Sequence, residues 1–433
     1  MNEPSPAHRC ANRWLILADD LTGAADAASP FARRGLRTAV GWGAVSNADR
    51  DDASVFSFDT DTRRASAAAA AAQQRTATLG LLAPGDALYK KIDSTLRGQP
   101  AAEIAALCAM LRGLSRAAYG VFAPANPAMG RTTVGGHVLV NGEPLERSEI
   151  WSREHSYPRA DLEAILAGVG LRVAKLPLST VRTVGALRAA FDSVARESGA
   201  RDDGLVILCD AETDQDLEHI ASAAGHGGDP GFFIGTAGLA KALAMRIPAS
   251  PRACGAVAAT RQGALIVVGS LASIAGAAAD QLAAVDGVRR VRFPPGTLLD
   301  DSQVAQRTQQ AQSIAMSLDA GEDVLVEIAR DAAPDLSAGP ALARQLALCL
   351  LPAMRRMSAL IATGGETAAA LLSACEVRSM SLVDEIETGI SLGLARGAIA
   401  VPVVTKPGAF SDAHSLVRSL GRLRHVRHSG ILA

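Results

Sequence analysis

Short apolar runs of strand length alternate with longer segments of helical period along almost the whole chain, the pattern of βαβ units that build parallel sheets. Runs at residues 14–18, 38–41, 55–58, 87–91, 118–122, 172–175, 205–209 and 232–234 predict a first series of strands. Residues 248–263 hold prolines, glycines and small residues without clear period, which predicts a linker. A second series follows at 264–268, 288–293, 324–328, 359–362 and 398–404. The expected architecture is α/β: two α/β domains with mainly parallel sheets, 1–247 and 264–433, joined by the linker. Residues 126–147 break the first series with a Gly-rich stretch and the hairpin-like VLVNGEPL, where Asn141-Gly142 suits a type I′ turn, so a small antiparallel insertion is expected there. The alanine run 65–72 lies between two strands and reads as a crossover helix.

Composition narrows the classes. A chain of 433 residues, 48% hydrophobic and 20% charged, with 40 Gly and 20 Pro, buries a sizeable core and is neither disordered nor fibrous. Lys plus Arg number 43 against 44 Asp plus Glu, so no global field draws in a polyanion and nucleic acid is not an expected partner. Six scattered cysteines without a CxxC pair point to a reducing cytoplasm and no structural zinc. The four apolar residues Trp14 to Leu17 are too few for an export signal. The uncharged run 262–279 approaches the length of a membrane span, but its glycines and serines read better as a buried strand, a turn and a small-residue helix.

Several strand ends carry polar residues suited to chemistry. In LILADDLTGA the first strand ends in Asp19 and Asp20, placed where open parallel sheets bind ligands; an aspartate there can also simply cap the next helix. SFDTDTR ends in Arg63, a guanidinium able to grip a carboxylate, or else a solvated turn. YKKIDSTLRG brings Lys90, Lys91, Asp93, Ser94, Thr95 and Arg97 into one turn. The chain has five lysines against 38 arginines, and two of the five are here while Lys406 lies in VVTKPGAF, which marks these lysines as places where a compact point charge is wanted. VVGSLAS, ATGGETAAAL and VVTKPGAF each put a Gly-bearing turn after an apolar strand, and together they resemble a phosphate-binding surface. No GxxxxGK[ST], complete GxGxxG, HxH or HExxH pattern occurs. The basic residues Arg418, Arg422, Arg424 and Arg427 read as a solvated helix face.

The motifs DDLTGA, DTDTR, KKIDSTLRG, APANPAMGRTTVGG, CDAET, GTAGLA, GGETA and TKPGAF, in this order from Leu15 to about Leu420, resemble the four-carbon acid sugar kinase family. The resemblance implies an amino-terminal sugar-acid-binding domain, a carboxy-terminal nucleotide-binding domain, and ATP-dependent phosphorylation of the terminal hydroxyl of threonate, erythronate or an oxo-tetronate. It implies substrate contacts at Asp19, Asp20, Arg63, Lys91, Ile92, Asp93 and Ser94, and ATP contacts at Ser270, Gly364, Gly365, Glu366, Thr367 and Gly408. Glu366 stands where many members have Asp, and Ser411 departs from a commoner Gly-Gly-Phe-Gly run. Chemistry then assigns the substrate carboxylate to Arg63 or Lys91, the hydroxyls to Asp20 and Asp93, and the general base to Asp20 or Asp93. Magnesium would arrive on the ATP phosphates with help from Glu366, with no dedicated metal site. The KKIDSTLRG form favours D-threonate; D-erythronate or 3-oxo-tetronate is the alternative within the family, and a non-catalytic sugar-acid sensor the alternative of another class. No membrane partner is expected, and a homodimer stays open.

Overall fold

A computed structural model describes residues 13–44, 47–114, 119–198, 204–224, 231–251, 255–270, 272–329, 338–408 and 411–432. The chain forms two compact units, one within Met1–Leu36 and Ala53–Ser250, the other within Arg37–Asp52 and Pro251–Ala433. In chain order the strands up to the division are β1 (Trp14–Ala18), β2 (Thr38–Trp42), β3 (Val55–Asp59), β4 (Ala87–Lys91), β5 (Tyr119–Ala123), β6 (Arg131–Val134), β7 (His137–Val140), β8 (Glu143–Pro144), β9 (Arg172–Leu176), β10 (Leu205–Cys209) and β11 (Phe232–Gly235). After it come β12 (Ala264–Val268), β13 (Val288–Phe293), β14 (Asp323–Ile328), β15 (Ala359–Thr363), β16 (Val377–Glu387), β17 (Ile390–Gly397) and β18 (Pro402–Lys406).

In the first unit the strand order is β3-β1-β4-β11-β5-β10-β9, parallel at every pairing. β1 and β3 are buried along their whole length, as strands covered on both faces must be; β1 reads as an unbroken apolar run, and the one polar side chain inside β3, Ser57, donates to Ala24 O at 2.8 Å. The expected insertion is the antiparallel trio β6-β7-β8. Its β7–β8 turn has Asn141 at φ 51° and Gly142 at φ 85°, two left-handed residues as a type I′ turn requires. The alanine run lies in the helix Ala67–Leu81.

The second unit orders its strands β13-β14-β12-β15-β18-β17-β16-β2. The β13-to-β18 part is parallel, whereas β17, β16 and β2 join antiparallel. Two features differ from the sequence reading. The run expected as one strand over 398–404 is β18 alone, preceded by a long β16–β17 hairpin that the sequence reading left out. The polar residues Asp384, Glu385 and Glu387 interrupt its apolar pattern, and its register shifts between Leu382 and Asp384 and again between Glu385 and Glu387, so no clean two-residue period survives. Second, β2, expected with the first domain, groups with the second unit by pairing with β16 through Thr38 to Gly41.

Of the linker, 255–263 lies along the carboxy-terminal segment of the second unit: Val257 N donates to Gly430 O, Leu432 N to Gly255 O, and Thr260 N to Arg427 O. Among the described residues Cys108, Cys209, Cys349 and Cys375 are free thiols, while Cys10 and Cys254 lie outside them. No helix of the described residues is long and apolar enough to cross a membrane. The run 262–279 resolves into β12 and the start of the helix Ser273–Ala283.

Asp323, 1% exposed, ties this unit together. Its carboxylate accepts from Ala264 N at 2.7 Å, from Arg424 Nε at 2.7 Å and from Arg427 Nη1 at 2.8 Å, so it joins β14, β12 and the helix Ser415–Ser429. Asp323→Ala leaves the Ala264 amide without its side-chain acceptor and Arg424 and Arg427 without their carboxylate, Arg427 keeping only the Gln262 carbonyl. It should destabilise the second unit by roughly 3 kcal/mol, measured as a lowered denaturation midpoint in urea.

Candidate active site

Because β3, β1 and β4 are parallel neighbours, their carboxyl ends open on one edge. β1 releases Asp19 and Asp20, β3 ends in Asp59 and leads to Arg63, and β4 ends in Lys91 and leads to Asp93 and Arg97. Arg63 is the hub. It donates to Asp19 from Nε at 2.6 Å and from Nη2 at 2.8 Å, its Nη2 lies 3.0 Å from Asp20 Oδ1, and its Nη1 lies 3.7 Å from Asp93 Oδ1. Asp20 also caps the helix Leu21–Arg33, accepting from Gly23 N at 2.8 Å. The helix cap expected as one alternative is present, and the same carboxylate lies in the charged cluster around Arg63.

Asp93 is gripped by Arg97 through Nε at 2.9 Å and Nη2 at 2.8 Å, and accepts from Thr95 N at 3.2 Å. Gly98 is required where this turn meets β1: it has φ +83°, and a Cβ there would fall 2.8 Å from Asp19 Oδ2. Lys90 and Lys91 face opposite ways. Lys90, fully buried, pairs with Glu103 at 3.0 Å and donates to Gln74 at 3.2 Å, and the Thr62 hydroxyl donates to the same Glu103. Lys91 Nζ donates to the Ile92 carbonyl at 3.0 Å and lies on the Gly23 side, 3.3 Å from where a Cβ on that glycine would stand.

The insertion is held over the same region. Asp210, after β10, accepts from Gly135 N at 2.7 Å and Gly136 N at 2.9 Å, fixing the β6–β7 turn. This places Arg131, at the start of β6, within electrostatic reach of Asp93 and Arg97.

In the second unit the turns after β12, β15 and β18 meet on one edge of parallel neighbours. A Cβ on Gly269 would lie 1.9 Å from Thr367 Oγ1, and one on Gly408 would lie 2.3 Å from Ser270 Oγ. Gly364, at φ +89°, donates its N-H to Lys406 O at 2.8 Å and opens the helix Gly365–Ala374. The turns are therefore packed directly on one another. Glu366 sits half-buried in the first turn of that helix; Leu271, Ala409 and Phe410 of the same motifs lie outside the described residues.

Residues 14–243 match the model of a sugar-binding N-terminal domain, and residues 265–416 that of a nucleotide-binding C-terminal domain. The chain is 44% identical over 409 residues to a D-threonate kinase of Cupriavidus necator, covering 93% of this chain and 96% of that one. It belongs to the four-carbon acid sugar kinase family. A D-threonate kinase of Bordetella bronchiseptica is 31% identical over 431 residues, with 95% and 98% covered. A crystal structure from Salmonella typhimurium LT2 shares the fold, with a TM-score of 0.75 at 21% identity over 94% of this chain and 98% of that one.

The electrostatics of the kinase's first unit separate its carboxylates. For Asp93, burial favours the neutral form, but the charges of Arg97 and Arg63 with the hydrogen bonds from Arg97 and Thr95 outweigh it and hold the carboxyl well below the usual range. Asp19 is lowered in the same way, burial being overcome chiefly by Arg63. Asp59 behaves oppositely: burial, then the nearby charges of Asp20, Asp61 and Asp19, push its carboxyl well above the usual range despite the hydrogen bond from Asp61 N. Glu103 lies in none of the sequence motifs, and Asp59, although it opens DTDTR, is not singled out there as a member of this cluster. The signal that could have found Asp59 is its place as the last residue of an apolar strand beside β1.

A carboxyl with a raised folded-state value takes up a proton on folding, so stability falls as pH rises from the ordinary carboxylate range through the raised value. Asp59→Asn removes that slope. In thermal melts the variant should match the native chain near about pH 4 and exceed it by about pH 8. A difference that does not change with pH would count against the raised value.

Proposed function

We propose that this enzyme transfers the γ-phosphoryl group of ATP to the terminal hydroxyl of D-threonate. The 44% identity to a D-threonate kinase, running through both domains, carries the reading. Relatives named D-erythronate kinase and 3-oxo-tetronate kinase are 28% and 29% identical. Phosphoryl transfer asks for positioning and charge neutralisation more than covalent chemistry, which suits a sheet edge of charged side chains in one unit and glycine turns in the other.

In this reading each role left open by the sequence falls to a particular residue. Arg63 has Nε and Nη2 committed to Asp19 and Asp20, so its work is to hold those two carboxylates in place. Lys91, buried at the strand end with its ammonium on a peptide carbonyl, supplies the cation for the sugar-acid carboxylate, with Ile92 and Ser94 lining the same turn. Asp93, locked by Arg97 and strongly acidic, accepts substrate hydroxyl hydrogen bonds but is a poor base. Asp20 is then the residue that orients and deprotonates the attacking hydroxyl. In the second unit Ser270, Gly365, Thr367 and Gly408 cradle the nucleotide phosphates through backbone N-H groups and hydroxyls, while Gly364, its N-H held by Lys406 O, shapes the turn. Glu366 offers one carboxylate beside them, the share a protein gives a magnesium ion carried by phosphate oxygens, and that ion would neutralise charge on the transferred group. ATP as donor and free thiols fit a cytoplasmic enzyme.

An ADP-release assay with magnesium across D- and L-threonate, D- and L-erythronate and the oxo-tetronates tests the substrate. The highest kcat/KM is expected with D-threonate; turnover confined to another acid would overturn that choice. Two variants then test the roles. Asp20→Asn should lower kcat by about two to four orders of magnitude with KM little changed. Lys91→Met should mainly raise KM for the sugar acid, by roughly 10- to 100-fold, as loss of a charge-assisted contact does. If Asp20→Asn kept kcat, the base would have to be sought elsewhere on the same edge.

A further inference from the structure

The five lysines fall into two groups. Lys175 and Lys241 are half-exposed and pair with Glu163 and Asp214 at the surface. Lys90, Lys91 and Lys406 are buried, each at the carboxyl end of a strand. Lys90 is accounted for by Glu103 and Gln74, and Lys91 by the sugar-acid site. Lys406 remains. It is 1% exposed, in the second unit, and the resemblance assigns it no contact.

We propose that Lys406 carries the positive charge that receives the triphosphate of the nucleotide, an inference that rests on ATP being bound by the turns after β12, β15 and β18. Four observations place it. Its backbone carbonyl accepts from Gly364 N at 2.8 Å, so the residue is built into the meeting point of two of these turns. Its Nζ donates to the Pro407 carbonyl at 3.1 Å, in the turn that ends at Gly408 against Ser270. Lys91 has the same arrangement in the other unit, with its ammonium resting on the carbonyl of the following residue. Thr363 is the register partner of Lys406 on β15, and its fully buried hydroxyl has no hydrogen-bond partner among the described residues.

Pro407, Gly408, Gly364, Gly365 and Glu366, around the buried lysine, are all partly open to solvent. An anion can reach the turns, and a small rotation of the four-carbon stem brings the ammonium to it. The charged groups facing Lys406 are Glu387 of β16 and Asp412. Both are ion-paired to Arg418, Glu387 at 2.5 Å and Asp412 at 2.9 Å, which spends much of their charge. Burial therefore wins over their attraction, and the ammonium is lowered to about 8. A phosphate group would restore what burial removes. Lysine can bind phosphate as a compact point charge, and unlike arginine it gives up its proton readily when buried.

A cation that is only partly protonated in the free enzyme and fully protonated against phosphate must take up a proton on binding. Above about pH 8 the affinity for ATP then falls as pH rises. Titration calorimetry of ATP with magnesium, without sugar acid, in two buffers of different ionisation heat at about pH 8.5 reads this directly. The native enzyme should take up roughly half to one proton more than Lys406→Met. That variant should bind ATP about 10- to 100-fold more weakly. Lys406→Arg should recover part of the affinity without the proton uptake, since a guanidinium does not titrate there.

Native-like affinity and native-like proton uptake in Lys406→Met would overturn the assignment and leave Lys406 a packing residue. Should the methionine variant not fold, retention of the full proton uptake by Lys406→Arg would overturn it equally. A native enzyme that binds no ATP would bring down the nucleotide reading itself, an outcome distinct from a native enzyme whose binding ignores Lys406.

Discussion

The guanidinium of Arg63 makes the first unit's charged edge possible. Two like charges about 4 Å apart repel by roughly 4 kcal/mol at an effective dielectric of 20, and burial raises the cost of each. Asp19, Asp20 and Asp93 share one strand edge, and Arg63 lies on all three, with Arg97 as a second cation on Asp93. Remove that cation and the carboxylates must protonate, move apart or take up water. With it, a row of ionised carboxylates stands at the mouth of the sheet. Asp59 shows the alternative fate: no cation stands among the main influences on it, and its carboxyl is driven toward the neutral form.

Behind this edge lies a second, drier layer. Lys90, Glu103, Gln74 and Thr62 form a buried polar group whose charges are met within it, Gln74 Nε2 alone of its side-chain polar atoms being left without a partner among the described residues. Because Thr62 precedes Arg63, its bond to Glu103 fixes the backbone from which the guanidinium projects. Lys90 precedes Lys91, so the pairing of one lysine sets the direction of the other. A strand turns successive side chains to opposite faces, and here that alternation puts one of two adjacent lysines on Glu103 and Gln74 and the other on the Ile92 carbonyl.

The second unit solves a different problem with different means. Its site is made of close approaches, where Gly269 lies against Thr367 and Gly408 against Ser270 at distances that no side chain would allow. Glycine backbone brought this near to side-chain hydroxyls leaves room for a group no larger than an oxygen. The first unit presents side chains fixed by salt bridges, and the second presents backbone with one buried ammonium beneath it.

The sequence by itself determined the α/β class, the strands buried on both faces, the type I′ turn at Asn141-Gly142, the membership of the family and the turns that carry polar residues. These rest on consecutive residues, and the alternation of apolar runs with turns is written locally. Only the tertiary structure decided that Arg63 is committed to Asp19 and Asp20, that Asp93 is held by Arg97 and Asp59 by burial, and that β2 pairs with β16 more than 300 positions along the chain. The β16–β17 hairpin was hidden because its bulges and acidic residues erase the two-residue period. Arg63 could not be read as occupied from its own segment, because its main partner, Asp19, lies 44 positions away, and a charge is free or spent only by what the fold brings beside it.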